Sequence, residues 1–213
     1  MRNVIIALAL AISFSIASAE TMNFNVNGKQ DKEAVTFTSE ATLETIEGKT
    51  SEIRGFVAVD PTDVTIGAQA KFAVALASLK TGIDMRDKHM RENHLETDKF
   101  PEAVFVLHKV TSQNGGDLTD GQSKHLTLDG DFTIHGVTQS ITMEATVTFM
   151  AESKTTEPKI PGDILHIVAQ FEVTLADYEI KRPKFLFLKL SETQVVDIDI
   201  FASTGLPEVT FIE

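Results

Sequence analysis

LTLDGDFTIHGVTQSITMEATVTF, residues Leu126 to Phe149, decides the fold class of this chain. In its second half Ile141, Met143, Ala145, Val147 and Phe149 alternate with Thr142, Glu144, Thr146 and Thr148. In its first half Leu126, Leu128, Phe132 and Ile134 alternate with Thr127, Asp129, Asp131 and Thr133. Successive side chains of a strand point to opposite faces, so a sustained period of two marks a strand with one buried face. Gly136 to Gln139 turn the chain from the first run into the second.

The same period runs outward in both directions. Towards the N-terminus it appears in Met22, Phe24 and Val26, in Val35 and Phe37, in Ile53, Gly55, Val57 and Val59, and in Ala68, Ala70, Phe72, Val74 and Leu76. Ala103, Phe105 and Leu107 continue it, although Val104 and Val106 leave the other face fairly apolar. Towards the C-terminus come Leu165, Ile167, Ala169, Phe171 and Val173, then Val196, Ile198 and Ile200 between Gln194 and Ala202. Asp60-Pro61, Asn114-Gly115-Gly116 and the polar stretch 151–163 break the runs with turn and loop residues. About eight or nine short strands joined mostly by turns predict an all-β domain, without internal repeat or linker. Alternation alone leaves a barrel and a sandwich open, since both bury one face of each strand.

The N-terminus carries an export pattern. Met1-Arg2-Asn3 is a short basic region, Val4 to Ile16 is apolar, and Ala17-Ser18-Ala19 supplies the small residues a signal peptidase needs. A cleaved signal peptide over residues 1–19 is expected, leaving a soluble chain from Glu20 to residue 213, because an apolar run this short falls below the roughly 20 residues that span a bilayer. With no cysteine, the chain has no disulfide, thiol nucleophile or thiolate metal site, and cannot carry the lipid-modified cysteine of a lipoprotein. The chain holds 19 basic and 31 acidic residues; losing Arg2 with the leader leaves a net charge of −13. Such a chain repels nucleic acid and anionic headgroups, so no nucleic-acid partner and no stable membrane insertion are expected.

Catalytic and metal motifs are sparse. His89 and His94 are five apart, and neither His-x-x-His nor His-x-x-x-His occurs, so no metal site and no metal dependence of folding are expected. His108, His125 and His166 sit on mostly polar strand faces, and His135 at a turn suggests a structural hydrogen bond. Asp129 with Asp131, and Asp197 with Asp199, read as exposed strand surface. There is no G-x-S-x-G and no phosphate-binding glycine loop. The charged connection SLKTGIDMRDKHMRENHLETDKFPEAVF, Ser78 to Phe105, contains opposite-charge pairs at i,i+4 (Asp84–Lys88, Asp87–Arg91, Lys88–Glu92) that favour a short helix around residues 83–95. It caps one end of the sheet, either simply solvated or presenting Arg86, His89 and His94 to a polar ligand head.

The order and spacing of SLKTG (Ser78 to Gly82), RDKHM (Arg86 to Met90), KFPEAVF (Lys99 to Phe105) and LDGDFTIHGVT (Leu128 to Thr138) resemble the YceI family of secreted, lipocalin-like proteins. The likeness extends over nearly the whole chain after the leader. Asp177 to Pro183 matches that family's DYGIKRP segment except for Glu179 in place of glycine, which argues against a glycine-type tight turn there and for an altered shape near the barrel mouth. The resemblance implies a single antiparallel, lipocalin-like β-barrel and non-catalytic, periplasmic binding of a long isoprenoid or similar amphipathic lipid, with no cofactor. Homodimer formation is left open. The inward rows Phe37, Phe72, Val74, Phe105, Leu107, Leu128, Phe132, Met143, Val147, Ile167 and Phe171 would then share one apolar interior, and small residues such as Gly55, Ala68, Ala70, Ala145 and Ala169 lean towards its being unfilled. Arg86, His89 and His94 would hold the head group at the mouth. Two other readings remain: an enzyme acting on an apolar substrate through those same mouth residues, and a stress-responsive surface-interaction protein with a filled core.

Overall fold

A computed structural model describes residues 21–27, 32, 34–41, 44–185 and 188–211; the expected leader and its cleavage site lie outside them. The alternating rows form strands, named in chain order β1 (Met22–Val26), β2 (Val35–Glu40), β3 (Thr45–Thr50), β4 (Ile53–Val59), β5 (Gln69–Ala75), β6 (Glu102–Ser112), β7 (Ser123–Ile134), β8 (Val137–Met150), β9 (Ile164–Thr174), β10 (Lys184–Phe185), β11 (Leu188–Lys189) and β12 (Thr193–Ser203). One helix, α1 (Asp84–Asn93), occupies the charged connection between β5 and β6. Among the described residues no helix is long and apolar enough to cross a membrane.

Every pairing in the main sheet is antiparallel. β1 and β2 lie end to end along one edge of β12, pairing at Asn25–Ser203 and at Val35–Ile198. β3 and β4 run back beside them, so these four short strands act as two long ones. The result is an eight-stranded up-and-down barrel, closed where β12 meets the first strand. This settles barrel against sandwich. β3 was not legible as a strand because Ile46 is its only large apolar residue, too little to show a row.

Local chemistry sets the corners. His135 and Gly136 both have positive φ, 54° and 75°, which gives the two-residue hairpin between β7 and β8. The ring of Phe100 covers Gly136, so a Cβ there would collide with it. Glu179 corrects the expectation drawn from its missing glycine. It adopts the left-handed conformation (φ 55°, ψ 21°) after a short 3₁₀ turn, Leu175–Tyr178, so the tight turn forms without glycine.

The interior divides along the barrel axis. At one end Phe24, Val26, Val57, Val147, Leu165, Ile167 and Ile200 pack into a filled core, with Phe72, Leu107 and Leu128 against it. Lys124 lies on the same inward row as Leu126, and its buried ammonium donates to Asp117 Oδ1 at 2.9 Å, closing that end with a paired charge. At the other end Leu76, Leu79, Leu95, Ala103, Phe132, Val173, Leu175, Tyr178 and Ile180 line a second cluster under α1. Met143, Ala145 and Ala169 bridge the two, with Phe105 against them.

Small residues in the rows do not all mean empty space. Gly48, Gly55 and Gly130 each lie under a phenylalanine ring from the adjoining strand, respectively Phe37, Phe72 and Phe105. A strand glycine here marks close approach of a neighbouring ring rather than a void.

Val147 lies in the filled end, so Val147→Trp should overpack it and lower unfolding stability by roughly 1–3 kcal/mol in a urea titration; a midpoint equal to wild type would show that this end is not packed. Glu179→Gly should raise stability by about 1 kcal/mol, since it relieves a left-handed side-chain conformation. A fall in melting temperature would contradict that account.

Candidate functional site

The end of the barrel beneath α1 holds a cavity of about 220 Å³. Its walls come from strands across the barrel, including Val35, Phe37, Ile46, Val74, Ala103, Phe132, Phe171, Val173, Val196 and Ile198. Its roof comes from Leu79, Met90 and Leu95 on the β5–β6 connection and from Ile180, Pro183 and Leu190 on the late segment.

Two sets of polar contacts hold the roof. At the start of α1, the fully buried Asp87 accepts from the Thr81 backbone N–H at 2.8 Å and from Thr81 Oγ1 at 2.5 Å. Arg86 donates through Nε to Thr81 Oγ1 (2.8 Å) and through Nη2 to the Thr81 carbonyl (2.9 Å), with Glu44 3.7 Å from Nη1. Asp87 therefore serves the turn before the helix, not the i,i+4 pair with Arg91 that spacing suggested; Lys88 and Glu92 do pair, at 3.9 Å. The turn itself is bonded to β3 by reciprocal backbone hydrogen bonds between Lys49 and Lys80. At the far end of α1, His94 Nδ1 lies 2.7 Å from the Lys181 carbonyl and so donates to it, tying the helix to the late segment. His135 fastens that segment from below, with Nδ1 3.1 Å from the Tyr178 carbonyl and Nε2 3.0 Å from Glu96.

The structure brings together part of the expected site. Phe37, Val74, Phe132 and Phe171 line the cavity, as do Arg86, His89 and His94. Phe72, Leu107, Leu128, Val147 and Ile167 belong to the filled end instead. Phe105 and Met143 sit between the two regions. The single shared interior therefore splits, because a row that faces inward along its whole length meets a packed layer at one end and a void at the other. Several lining residues were not singled out by alternation: Ile46 on the nearly rowless β3, and Leu79, Met90, Ile180 and Pro183 in connections. The last four lie inside or immediately beside the segments that carried the family resemblance, which was the available signal.

Two polar members of the lining, Arg86 and His94, are held by partners within the protein, although His94 Nε2 is buried without one. The Arg86 guanidinium is engaged by Thr81 and Glu44, and His94 by the Lys181 carbonyl. The His89 ring meets that of His94 edge to face at 5.2 Å. The other histidines pair outside the cavity: His108 with Asp131 at 2.9 Å and His166 with Asp199 at 2.7 Å. Among the described residues no three metal-ligating side chains converge.

The model of the YceI-like domain matches residues 18–202. The UPF0312 protein of Vibrio campbellii is 27% identical over 177 residues, covering 82% of this chain and 85% of its own length. A UPF0312 protein of Pseudomonas putida is 34% identical over 127 residues, 58% of this chain and 55% of that one. Two solved structures have the same fold. BcnA of Burkholderia cenocepacia superimposes with a TM-score of 0.61 at 14% identity over 80% of this chain and 96% of its own. A polyisoprenoid-binding domain from Saccharophagus degradans, implicated in plant cell wall breakdown, does so with a TM-score of 0.60 at 17% identity, over 86% of this chain and 99% of that one.

The latch at His94 should respond to pH. Burial holds its imidazole below the usual value of 6.5, outweighing the hydrogen bond to the Lys181 carbonyl, and the charge of nearby His89 acts in the same direction as burial. Above about pH 6.5 both folded and unfolded chains carry the ring neutral; as pH falls through that value the unfolded chain binds the proton first, and stability is lost. Melting temperature should therefore fall between about pH 7.5 and pH 5 more steeply in wild type than in His94→Gln, which keeps a donor for Lys181 but does not titrate. Identical pH profiles would remove His94 as the cause.

Proposed function

This chain belongs to the YceI-like domain family, and from that premise we propose that it is a non-catalytic carrier which holds part of an isoprenoid or similar amphipathic lipid in the roofed end of its barrel. The observation that carries the reading is an apolar void of about 220 Å³ kept open beside a well-packed core. Leaving such a space empty costs roughly 5 kcal/mol at about 24 cal/mol per Å³, a sizeable fraction of the roughly 5–15 kcal/mol by which a domain is stable. Filling it with hydrocarbon recovers that loss and adds about 0.8 kcal/mol for each CH₂ removed from water. A cavity of about 150 Å³ with similar walls accommodates benzene, so this one takes a short run of isoprenoid carbons. The rest of a long chain leaves through the mouth.

The polyisoprenoid-binding neighbour from Saccharophagus degradans supports this choice of ligand class through its shared fold. Arg86, His89 and His94 stand where the head group would emerge. Of the three, Arg86 is already engaged by Thr81 and Glu44, whereas His89 and the unpartnered Nε2 of His94 are left to meet it. The leader-like N-terminus supports delivery to the periplasm, where a hydrophobic ligand needs shielding between membranes.

Protein purified from its own host should yield an apolar lipid on organic extraction and mass spectrometry. Val74→Trp, on the cavity wall, should weaken uptake of that lipid at least tenfold while changing stability by less than about 1.5 kcal/mol, unlike a bulky residue in the filled end. A lipid-free extract together with unaltered Val74→Trp behaviour would favour a surface-interaction protein instead.

A further inference from the structure

We propose that the rim of the cavity at residues 80–85 docks transiently on a lipid bilayer, with Ile83 and Met85 entering the interface, so that the cavity loads directly from the membrane. The loading step rests on the carrier reading; the docking surface is argued from its own chemistry. Among the described residues four large apolar side chains are substantially exposed: Ile66, Ile83, Met85 and Val168. Scattered exposed apolar residues are ordinary. Here, however, two of the four stand two positions apart where α1 begins, Ile83 at 52% and Met85 at 82% exposure. Arg86, His89 and Met90 of the same helix line the cavity. At about 100° per residue Met85 projects roughly a quarter turn from that inward stripe, at the rim.

The identity of residue 83 adds a second observation. It is the N-cap of α1, a position that favours Ser, Thr, Asp or Asn, and here it makes no side-chain cap. The helix start forgoes a stabilising residue and displays an isoleucine to solvent.

Charge supports a rim-first approach. The whole chain is at −12, yet residues 80–92 carry Lys80, Arg86, Lys88 and Arg91 against Asp84, the buried Asp87 and Glu92. Glu44, Glu47 and Glu52 with Lys49 face this segment from β3 and its flanks, which brings the rim near balance. An acidic body is repelled by anionic headgroups, whereas a nearly neutral rim is not, so the field turns the mouth towards the bilayer. Direct loading also avoids water: each CH₂ exposed during transfer slows it by a factor of about four.

The test uses Ile83→Ser with Met85→Glu. Serine suits an N-cap and glutamate the first helical turn, so the fold should not suffer. Dansyl-labelled farnesol is supplied in two ways: from cyclodextrin, to read binding, and from phosphatidylcholine vesicles with a minority of phosphatidylglycerol, to read transfer. Loss of two apolar side chains from the docked state, each worth about tenfold, predicts vesicle transfer about a hundredfold slower in the double variant, with cyclodextrin uptake unchanged. Ile66→Ser, in the loop at the filled end, should leave both unchanged. Raising salt should speed transfer, since it screens the repulsion of the acidic body. Equal transfer rates for wild type and the double variant would overturn the proposal. If wild type takes up no probe from cyclodextrin, the carrier reading fails, and vesicle flotation decides docking alone: flotation of wild type but not of the double variant supports it, and equal behaviour rejects it.

Discussion

The double pairing of β12 is the constraint on which the molecule depends. One edge runs against β9 from Thr193 to Ser203, and the other meets β2 and then β1. Without that second edge, two strands would expose rows of unpaired backbone groups and the sheet would open. With it, the sheet becomes a barrel of eight strands, a size at which inward side chains only just fill the interior. Whether space remains is then decided layer by layer. Phe24, Leu165 and Ile200 close the interior at one end; Val74, Ala103 and Val196 stop short of doing so at the other.

A void of this kind persists only if its roof does not sag into it. The roof here is anchored by hydrogen bonds rather than by apolar packing alone. Asp87 fixes the start of α1 to Thr81, His94 fixes its end to Lys181, and His135 fixes the late segment to Glu96 and the β7–β8 corner. Removing a partner from such an anchor costs more than the hydrogen bond itself, because a buried polar atom left unpaired costs about 1–3 kcal/mol. The polar residues around the cavity thus have a structural task that is independent of any ligand head. Sequence spacing could not separate the two roles, because both place the same side chains near the mouth.

What the sequence made legible followed its periodicity. Strands with three or more alternating apolar residues, such as β8 and β9, were readable to within a few positions, and so was the short helix. β3 was not, since a strand bonded on both sides needs little apolar content when its neighbours supply the packing. The cavity was harder still. Period two says which face is inward but carries no information about position along the barrel axis, so Val147 and Val74 looked equivalent. Glycines misled for a related reason: Gly55 signals room, but Phe72 from the next strand occupies it. Volume inside a barrel is a property of facing residues on different strands, and one strand's sequence cannot state it.

The axial division separates stability from binding. The filled end with its Lys124–Asp117 plug lies away from the void, and the continuous ladder of β7, β8 and β9 runs the length of the barrel, meeting the void only through side chains such as Phe132 and Phe171. The roofed end is bounded by connections: α1, the Leu79–Thr81 turn and the late segment, which join the rest through a few polar anchors. Local opening has the lowest free energy where apolar contacts are few and hydrogen bonds lie near solvent. The part of the molecule that must yield to admit a long hydrocarbon is thus the part whose opening disturbs the barrel least. Such an arrangement lets cavity residues vary in size and chemistry, adjusting ligand fit, while the packed end and the closure by β12 continue to specify the fold.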